Sequence, residues 1–280
     1  MINWYPGHMA KTKKQLQENI KLVDLVIELL DARIPISSQN PLIDELTKNK
    51  PRLVLLTKSS MADPRYNSQI EKCFLNKQST KVLFIDSIQS ININKIYSFA
   101  QEILKEKFEK EKLKGMKTRN ARAMIVGIPN VGKSTLINKL SQKKVTNVGD
   151  KPGVTKSLQW IRIAKDFDLL DTPGILWPKL DDQEAAKKLV LTGAIKDEII
   201  RLEESIFYFI DFMKANYAGL LNKKYEVDEK TTNLEIIEEI AKKRGFFTNK
   251  DFDYEKTYIA ILNDFRNLRI GRISLDINYE

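Results

Sequence analysis

Apolar residues follow two regimes along the chain. In the first half, short aliphatic runs alternate with longer, mixed segments. Leu25–Leu30, Arg52–Leu56, Lys81–Ile85 and Ala121–Val126 read as strands. Trp160–Ile163 and Phe167–Leu170 read as a strand pair across the turn Lys165-Asp166. Leu16, Ile20 and Val23 fall at i, i+4 and i+7, the apolar face of a helix starting at about Ala10. Ile93–Phe108 reads as a helix, and Leu136–Leu140 continues another. The Lys- and Glu-rich stretch 102–119 is a solvated helix face or a linker, with the connection placed after Leu113, around Gly115. Strands alternating with helices predict an α/β fold with a mostly parallel sheet.

After Pro178 the strand pattern stops. Glu184–Ile195, Glu198–Tyr217, Leu234–Lys243 and Tyr254–Leu268 read as helices, and Gly245 as a C-cap. The apolar run Ile206–Met213 reads as the core of a bundle. The expected division is therefore residues 1–176, α/β, followed by a small all-helical domain over 177–280.

Charge changes at the same place. The 280 residues carry 47 Lys and Arg against 37 Asp and Glu, a net charge of +10. Residues 1–176 hold 30 basic and 17 acidic side chains, whereas 177–280 hold 17 and 20. A basic front half fits a polyanionic partner, nucleic acid ahead of membrane, or solubility alone. Asp24 and Glu28 interrupt Leu22–Leu30, no apolar run approaches the ~18 residues of a membrane span, and the first residues lack a secretory apolar core. A cytoplasmic protein is the expectation. One cysteine, Cys73, excludes an intrachain disulfide and a multi-cysteine metal site, and reads as a packed small hydrophobe. One histidine, His8, is the only imidazole available to any chemistry.

Gly127-Ile128-Pro129-Asn130-Val131-Gly132-Lys133-Ser134 matches G-x-x-x-x-G-K-[ST], between a strand and a helix. In such a loop the backbone N–H groups of Asn130, Val131, Gly132, Lys133, Ser134 and Thr135 surround phosphate oxygens at a helix N-terminus. Lys133 reaches the outer phosphates and the Ser134 hydroxyl ligates Mg²⁺. Asp171-Thr172-Pro173-Gly174 closes a second strand. There Asp171 can hold magnesium through water, and the Gly174 N–H can sense a γ-phosphate. Between the two, Asp150-Lys151-Pro152-Gly153-Val154-Thr155 offers Thr155 as a further magnesium ligand, or simply a loop threonine.

The segments GIPNVGKST, PGVTKS and DTPGILWP resemble those of TRAFAC-class GTPases. With WYPGHMAK, DARIPISSQNP and TGAIKDEI, the chain is similar nearly end to end to the circularly permuted ribosome biogenesis GTPase A (RbgA/YlqF) family. The resemblance implies a P-loop GTPase domain over 1–176, with its base-reading segment ahead of its phosphate loop. It implies a helical RNA-binding domain over 177–280. It also implies GTP as substrate, Mg²⁺ and a K⁺ at Asn130 as cofactors, and the large ribosomal subunit and its rRNA as partners. Thr57, Lys58 and Ser60 then occupy the base-reading motif N-K-x-D, and Asp86 and Ser87 the next base-contacting segment.

The departures are specific. Ser60 stands where the motif has the Asp that accepts two hydrogen bonds from guanine, so weaker guanine selectivity is expected. Asp63 can swing in, or serve as a cap before Pro64. The position after D-x-x-G, where a Ras-like enzyme has its water-orienting Gln, is Ile175. The resemblance implies that His8 takes over that function; an RNA contact, or packing beside Trp4, is the other reading. Catalytic candidates are thus His8, Lys133, Thr155 and Gly174. Asn130 serves K⁺ or its own backbone. Lys11, Lys13 and Lys14 lie beside His8, and Lys242-Lys243-Arg244 and Arg266, Arg269, Arg272 at helical spacing are basic groups or ordinary solvated faces. The expected function is a GTP-hydrolysing assembly factor that docks on rRNA with GTP and leaves after hydrolysis. The rival is a nucleotide-gated binding module with weak turnover and relaxed base selectivity.

Overall fold

The computed structural model describes residues 2–3, 7–75, 80–141, 158–176, 179–180, 182–195, 202–249 and 251–278. A two-residue strand β1 (Ile2–Asn3) precedes helix α1 (Gly7–Asn19), which runs into a 3₁₀ turn over Ile20–Leu22. There follow β2 (Leu25–Asp31), α2 (Pro41–Thr47), β3 (Arg52–Thr57), α3 (Asn67–Leu75), β4 (Thr80–Phe84), α4 (Lys95–Leu113) and β5 (Ala121–Gly127). Next come α5 (Lys133–Leu140), β6 (Gln159–Ala164), β7 (Phe167–Asp171) and β8 (Lys179–Leu180). Among the described residues that follow are the helices α6 (Gln183–Leu191), α7 (Leu202–Asn216), α8 (Leu220–Tyr225), α9 (Asn233–Arg244) and α10 (Tyr254–Arg266).

The six-stranded sheet has the order β4-β3-β2-β5-β7-β6. All its pairings are parallel except β6 with β7. The central strand β2 is buried along its whole length, and its alternation sorts residues between two faces. Leu25, Ile27 and Leu29 join a core with Ile96, Ala100 and Leu104 of α4. Val26 joins Leu16 of α1 and Leu42 and Ile43 of α2 on the other side, while Leu30 meets Ile70 and Phe74 of α3. Each fully buried side chain of this size contributes about 1.5–3 kcal/mol. Glu28 sits in this run with its carboxylate paired to Arg52 at 3.0 Å.

The core around Leu25 continues without a break into Leu189, Phe209, Ile240 and Phe265 of the helical region. The run Ile206–Met213 supplies Ile206, Phe209, Ile210 and Met213 to it, as bundle core.

Several boundaries differ from the pattern-based expectations. Helix α1 starts at Gly7 rather than near Ala10. Of the two readings of the Lys/Glu stretch, the helix face holds up to Leu113, because Ile96, Ala100 and Leu104 anchor the helix on its other side. The chain then turns at Gly115, φ +72°. The short helices α2, α3 and α8 escape a periodicity reading at that length. No strand is expected after Pro178, yet Lys179–Leu180 form β8 and pair antiparallel with Ile2–Asn3. Helix α6 ends at Leu191, before a turn through Gly193, and α10 ends at Arg266. Among the described residues no helix is long and apolar enough to cross a membrane, and no group of three or more His, Cys, Asp or Glu could hold a metal. Cys73 is a free, partly buried thiol.

Candidate nucleotide site

The parallel strands β2, β3, β5 and β7 end on Asp31, Thr57, Gly127 and Asp171. Their carboxyl ends form one edge of the sheet, where open α/β folds bind ligands. The phosphate loop leaves β5 and enters α5 through Gly132, whose φ of +108° suits glycine. Lys133 is buried, and its Nζ donates to the carbonyls of Gly127 and Ile128 at 3.0 Å each. The ammonium thus folds back over its own loop, close to where phosphate oxygens would replace those carbonyls. Burial lowers its pKa to about 8, against the opposing charge of Asp171. Burial likewise pushes the Asp171 carboxyl up to about 6, with Lys133 opposing.

Asp171 Oδ1 is buried and has no hydrogen-bond partner among the described residues. An orphaned carboxylate oxygen beside a phosphate loop suits a hydrated Mg²⁺, which keeps several of its waters. Ser134, in the first turn of α5, is the hydroxyl on the loop side. Thr155 lies outside the described residues.

Gly174 passes directly over the phosphate loop. A Cβ there would lie 2.9 Å from Pro129 N and Cα, so no larger residue fits this approach. The Ile175 N–H donates to Gly127 O at 3.3 Å. The Ile175 side chain turns away into the core with Leu16, Val23 and Leu170, and its carbonyl accepts from Asn40 Nδ2 at 2.9 Å. No side-chain group at 175 faces the site. Leu16 of α1 packs on the same cluster as Ile175, so the helix carrying His8 at its second position is anchored beside this loop. The His8 side chain lies outside the described residues.

The segments expected on the base side follow β3 and β4. Thr57 Oγ1 donates to Val131 O at 2.8 Å, joining this segment to the phosphate loop. Lys58, at φ +54°, donates to Asn130 O and to Asp31 Oδ2, both at 2.9 Å. Asp31 also holds Arg33 through Nε and Nη2. Burial alone would raise the Asp31 pKa; the charges of Arg33 and Lys58 overcome this and hold it well below the usual carboxylate range. Ser60 Oγ donates to Asp86 Oδ2 at 2.5 Å. Ser87 follows in the loop whose backbone N–H groups at Ile88 and Gln89 donate to Asp86 Oδ1, both at 2.9 Å. The structure thus brings Thr57, Lys58, Ser60 and Asp86 to the phosphate-loop side of the sheet.

Two expectations resolve differently from their sharper readings. Asp63 is the cap: its Oδ1 accepts from Arg65 N, and its Oδ2 pairs with the Arg65 guanidinium at 2.7 Å. The arginines at 266, 269 and 272 form no helical stripe, because α10 ends at Arg266. Arg266 donates to Val190 O and Leu191 O, Arg269 pairs with Asp264, and Arg272 reaches Ala62 O and Ser59 O. Arg244 also pairs with Asp264.

Contacts that the sequence did not signal tie the site to the helical region. The Asn130 side-chain amide donates to Gly193 O at 2.8 Å. Asp276 accepts from Ile36 N, Ser37 N, Ser37 Oγ and Lys188 Nζ. The Leu275 and Ile273 N–H groups donate to Arg33 O and Met61 O. Such pairings between distant loops leave no periodic trace.

A phosphate loop and a D-x-x-G loop closing on it, with a base-side segment from earlier strands, define a P-loop GTPase of circularly permuted order. A family model described as "50S ribosome-binding GTPase" matches residues 122–250, beginning in β5. Ribosome biogenesis GTPase A of Bacillus pumilus is 45% identical over 277 residues, covering 98% of each chain. That of Thermotoga maritima is 30% identical over 276 residues, covering 98% of this chain and 94% of its own. Among solved structures, a GDP-bound YlqF superposes with a TM-score of 0.68 at 25% identity, covering 95% of this chain and 100% of its own. YlqF from T. maritima bound to GNP gives 0.64 at 27%, covering 94% and 97%. The chain belongs to the ribosome biogenesis GTPase A family, and is a GTP-hydrolysing enzyme of ribosome assembly.

Proposed function

We propose that this GTPase acts on the large ribosomal subunit in the cytoplasm, docking on its rRNA with GTP bound and leaving after hydrolysis. Residues 1–176 are the GTPase domain and 177–280 the helical, RNA-facing one. The observation that carries the reading is the Gly174 backbone lying against the phosphate loop, next to Lys133 Nζ. A γ-phosphate arriving there engages a loop that Asn40 and the Ile175 side chain fasten to neighbouring elements. The net charge of residues 1–176 favours a phosphate-rich partner, and Lys11, Lys13 and Lys14 place part of it on α1 beside His8.

In this reading the N–H groups of Asn130 to Thr135, with Lys133, bind the phosphates. Ser134, Thr155 and, through water, Asp171 would hold Mg²⁺. When bound, that ion neutralises charge on the β- and γ-phosphates. The Asn130 side chain, oriented by its bond to Gly193 O, is the place for K⁺. Lys133 keeps its proton on the phosphates, and His8 orients the attacking water in the role that Ile175 cannot fill. Thr57, Lys58, Ser60, Asp86 and Ser87 form the base side.

The test is co-sedimentation of the full chain with purified large and small subunits over a salt series. Retention on large subunits with a non-hydrolysable GTP analogue, weakening with salt and lost with GDP, is expected. Equal retention with GDP, or preference for small subunits, overturns the reading.

A further inference from the structure

The base side lacks its motif carboxylate at position 60, yet it holds a carboxylate one hydrogen bond away. Ser60 Oγ donates its only proton to Asp86 Oδ2 at 2.5 Å. The Asp86 side chain is fixed from behind, since Oδ1 accepts from the N–H groups of Ile88 and Gln89. Its backbone is fixed as well, exchanging both hydrogen bonds with Ile91. The loop before Ser60 is tied to the same strand end by Ser59 N–H on Ile85 O at 3.1 Å, and to Arg272 through Ser59 O.

A carboxylate offers about four acceptor positions. Three are used here, and the one left is on Oδ2. The Ser60 hydroxyl, having given its proton to Asp86, keeps lone pairs that can only accept. Two acceptors therefore stand side by side, at close to the spacing of the two oxygens within one carboxyl group. Guanine presents two neighbouring donors, N1–H and the 2-amino group, to such a pair. Adenine presents an unprotonated N1 and a C–H there, and xanthine a carbonyl at C2.

We infer that Ser60 and Asp86 together read guanine: Asp86 supplies the charge that the motif position lacks, and Ser60 supplies the second acceptor. Guanine selectivity is then retained by a carboxylate moved to the neighbouring loop. This inference rests on the nucleotide site proposed above.

Equilibrium binding of GDP, XDP and ADP to the full chain with Mg²⁺ tests it. Wild type should prefer GDP over XDP and ADP by at least about a hundredfold, the scale of two charge-assisted hydrogen bonds. D86N keeps an acceptor for the Ile88 and Gln89 N–H groups but presents an amide donor. It should weaken GDP at least about tenfold and strengthen XDP, narrowing or inverting the ratio. S60A should weaken GDP by less, and the exchange S60D/D86S should restore GDP preference. An unchanged GDP:XDP ratio in D86N, or a wild type indifferent to the base, overturns the inference. K133A separates the two levels. If K133A binds GDP as tightly as wild type, the phosphate site itself is wrong; if it loses GDP while D86N keeps its ratio, only the base reading falls.

Discussion

The phosphate side and the base side of the site lie on one sheet edge but are built by different means. In the proposed reading, most groups facing the ligand on the phosphate side are backbone N–H donors, and the side chains that matter are few: Lys133, Ser134, Asp171 and the missing one at Gly174. That geometry depends on glycines in fixed places, so its sequence cannot drift far without losing the shape. On the base side the work falls to side chains. There the hydroxyl of Ser60 and the carboxylate of Asp86, one hydrogen bond apart, are the acceptor pair inferred to read guanine from two different loops. One half of a site can therefore match its motif residue by residue while the other departs from it.

The comparison can be broken in graded steps. Lys133→Ala removes the ammonium that folds back over the Gly127 and Ile128 carbonyls of the phosphate loop. Nucleotide affinity should fall on the order of a hundredfold or more, at about 1.5–3 kcal/mol for each charged hydrogen bond. Calorimetry with GDP reads this, and a base-side change should never match it. His8→Ala should lower kcat on the order of a hundredfold with GDP affinity unchanged, as loss of a positioned proton-transfer or water-orienting group does. Unchanged turnover would remove His8 from the chemistry.

Asp31→Asn tests the support of the base side. Removing the charge that holds Arg33 and Lys58 should cost about 3 kcal/mol at pH 7, measured by denaturant unfolding. The Asp31 pKa is depressed in the fold, so its contribution is present above the ordinary carboxylate value near ~3.9. The contribution is lost as pH falls below that value, and the gap between wild type and D31N should close on acidification. Gly174→Ala acts on the loop itself: its methyl would meet the Pro129 backbone at 2.9 Å, so the D-x-x-G loop must move off the phosphate loop. Turnover should fall about tenfold, on the scale of ~1.4 kcal/mol in the barrier, with base preference untouched.

Much of this was legible before any coordinates. The strands at 25–30, 52–56 and 121–126, the phosphate loop and the D-T-P-G turn are local patterns, set by alternation and glycine spacing. Ile175 read as unable to orient water, and the fold turns it into the core. What was not legible depends on distant pairs. Asp86 reads from the sequence as part of the next base-contacting segment but not as a partner of Ser60, because only the folded sheet brings β3 and β4 side by side and sets its carboxylate against Ser60. Arg266, Arg269 and Arg272 read as a basic face because their spacing fits a helix, yet the helix stops at the first of them. The short α2 and α3 hold too few turns for a period to show.

The segment 272–276 bears on how the molecule comes to be competent. Arg272 bonds Ala62 across 210 positions, and Asp276 bonds Ile36 across 240. Contacts that close such long loops are entropically costly to form and belong to the slow part of folding. The loops carrying Ser60 and Arg33 therefore gain their final order only when the helical region has folded back onto them. A substitution that loosens the segment 272–276 would show itself first as a poorer grip on the base, because Arg272 and Asp276 bond the loops at 59–62 and 36–37.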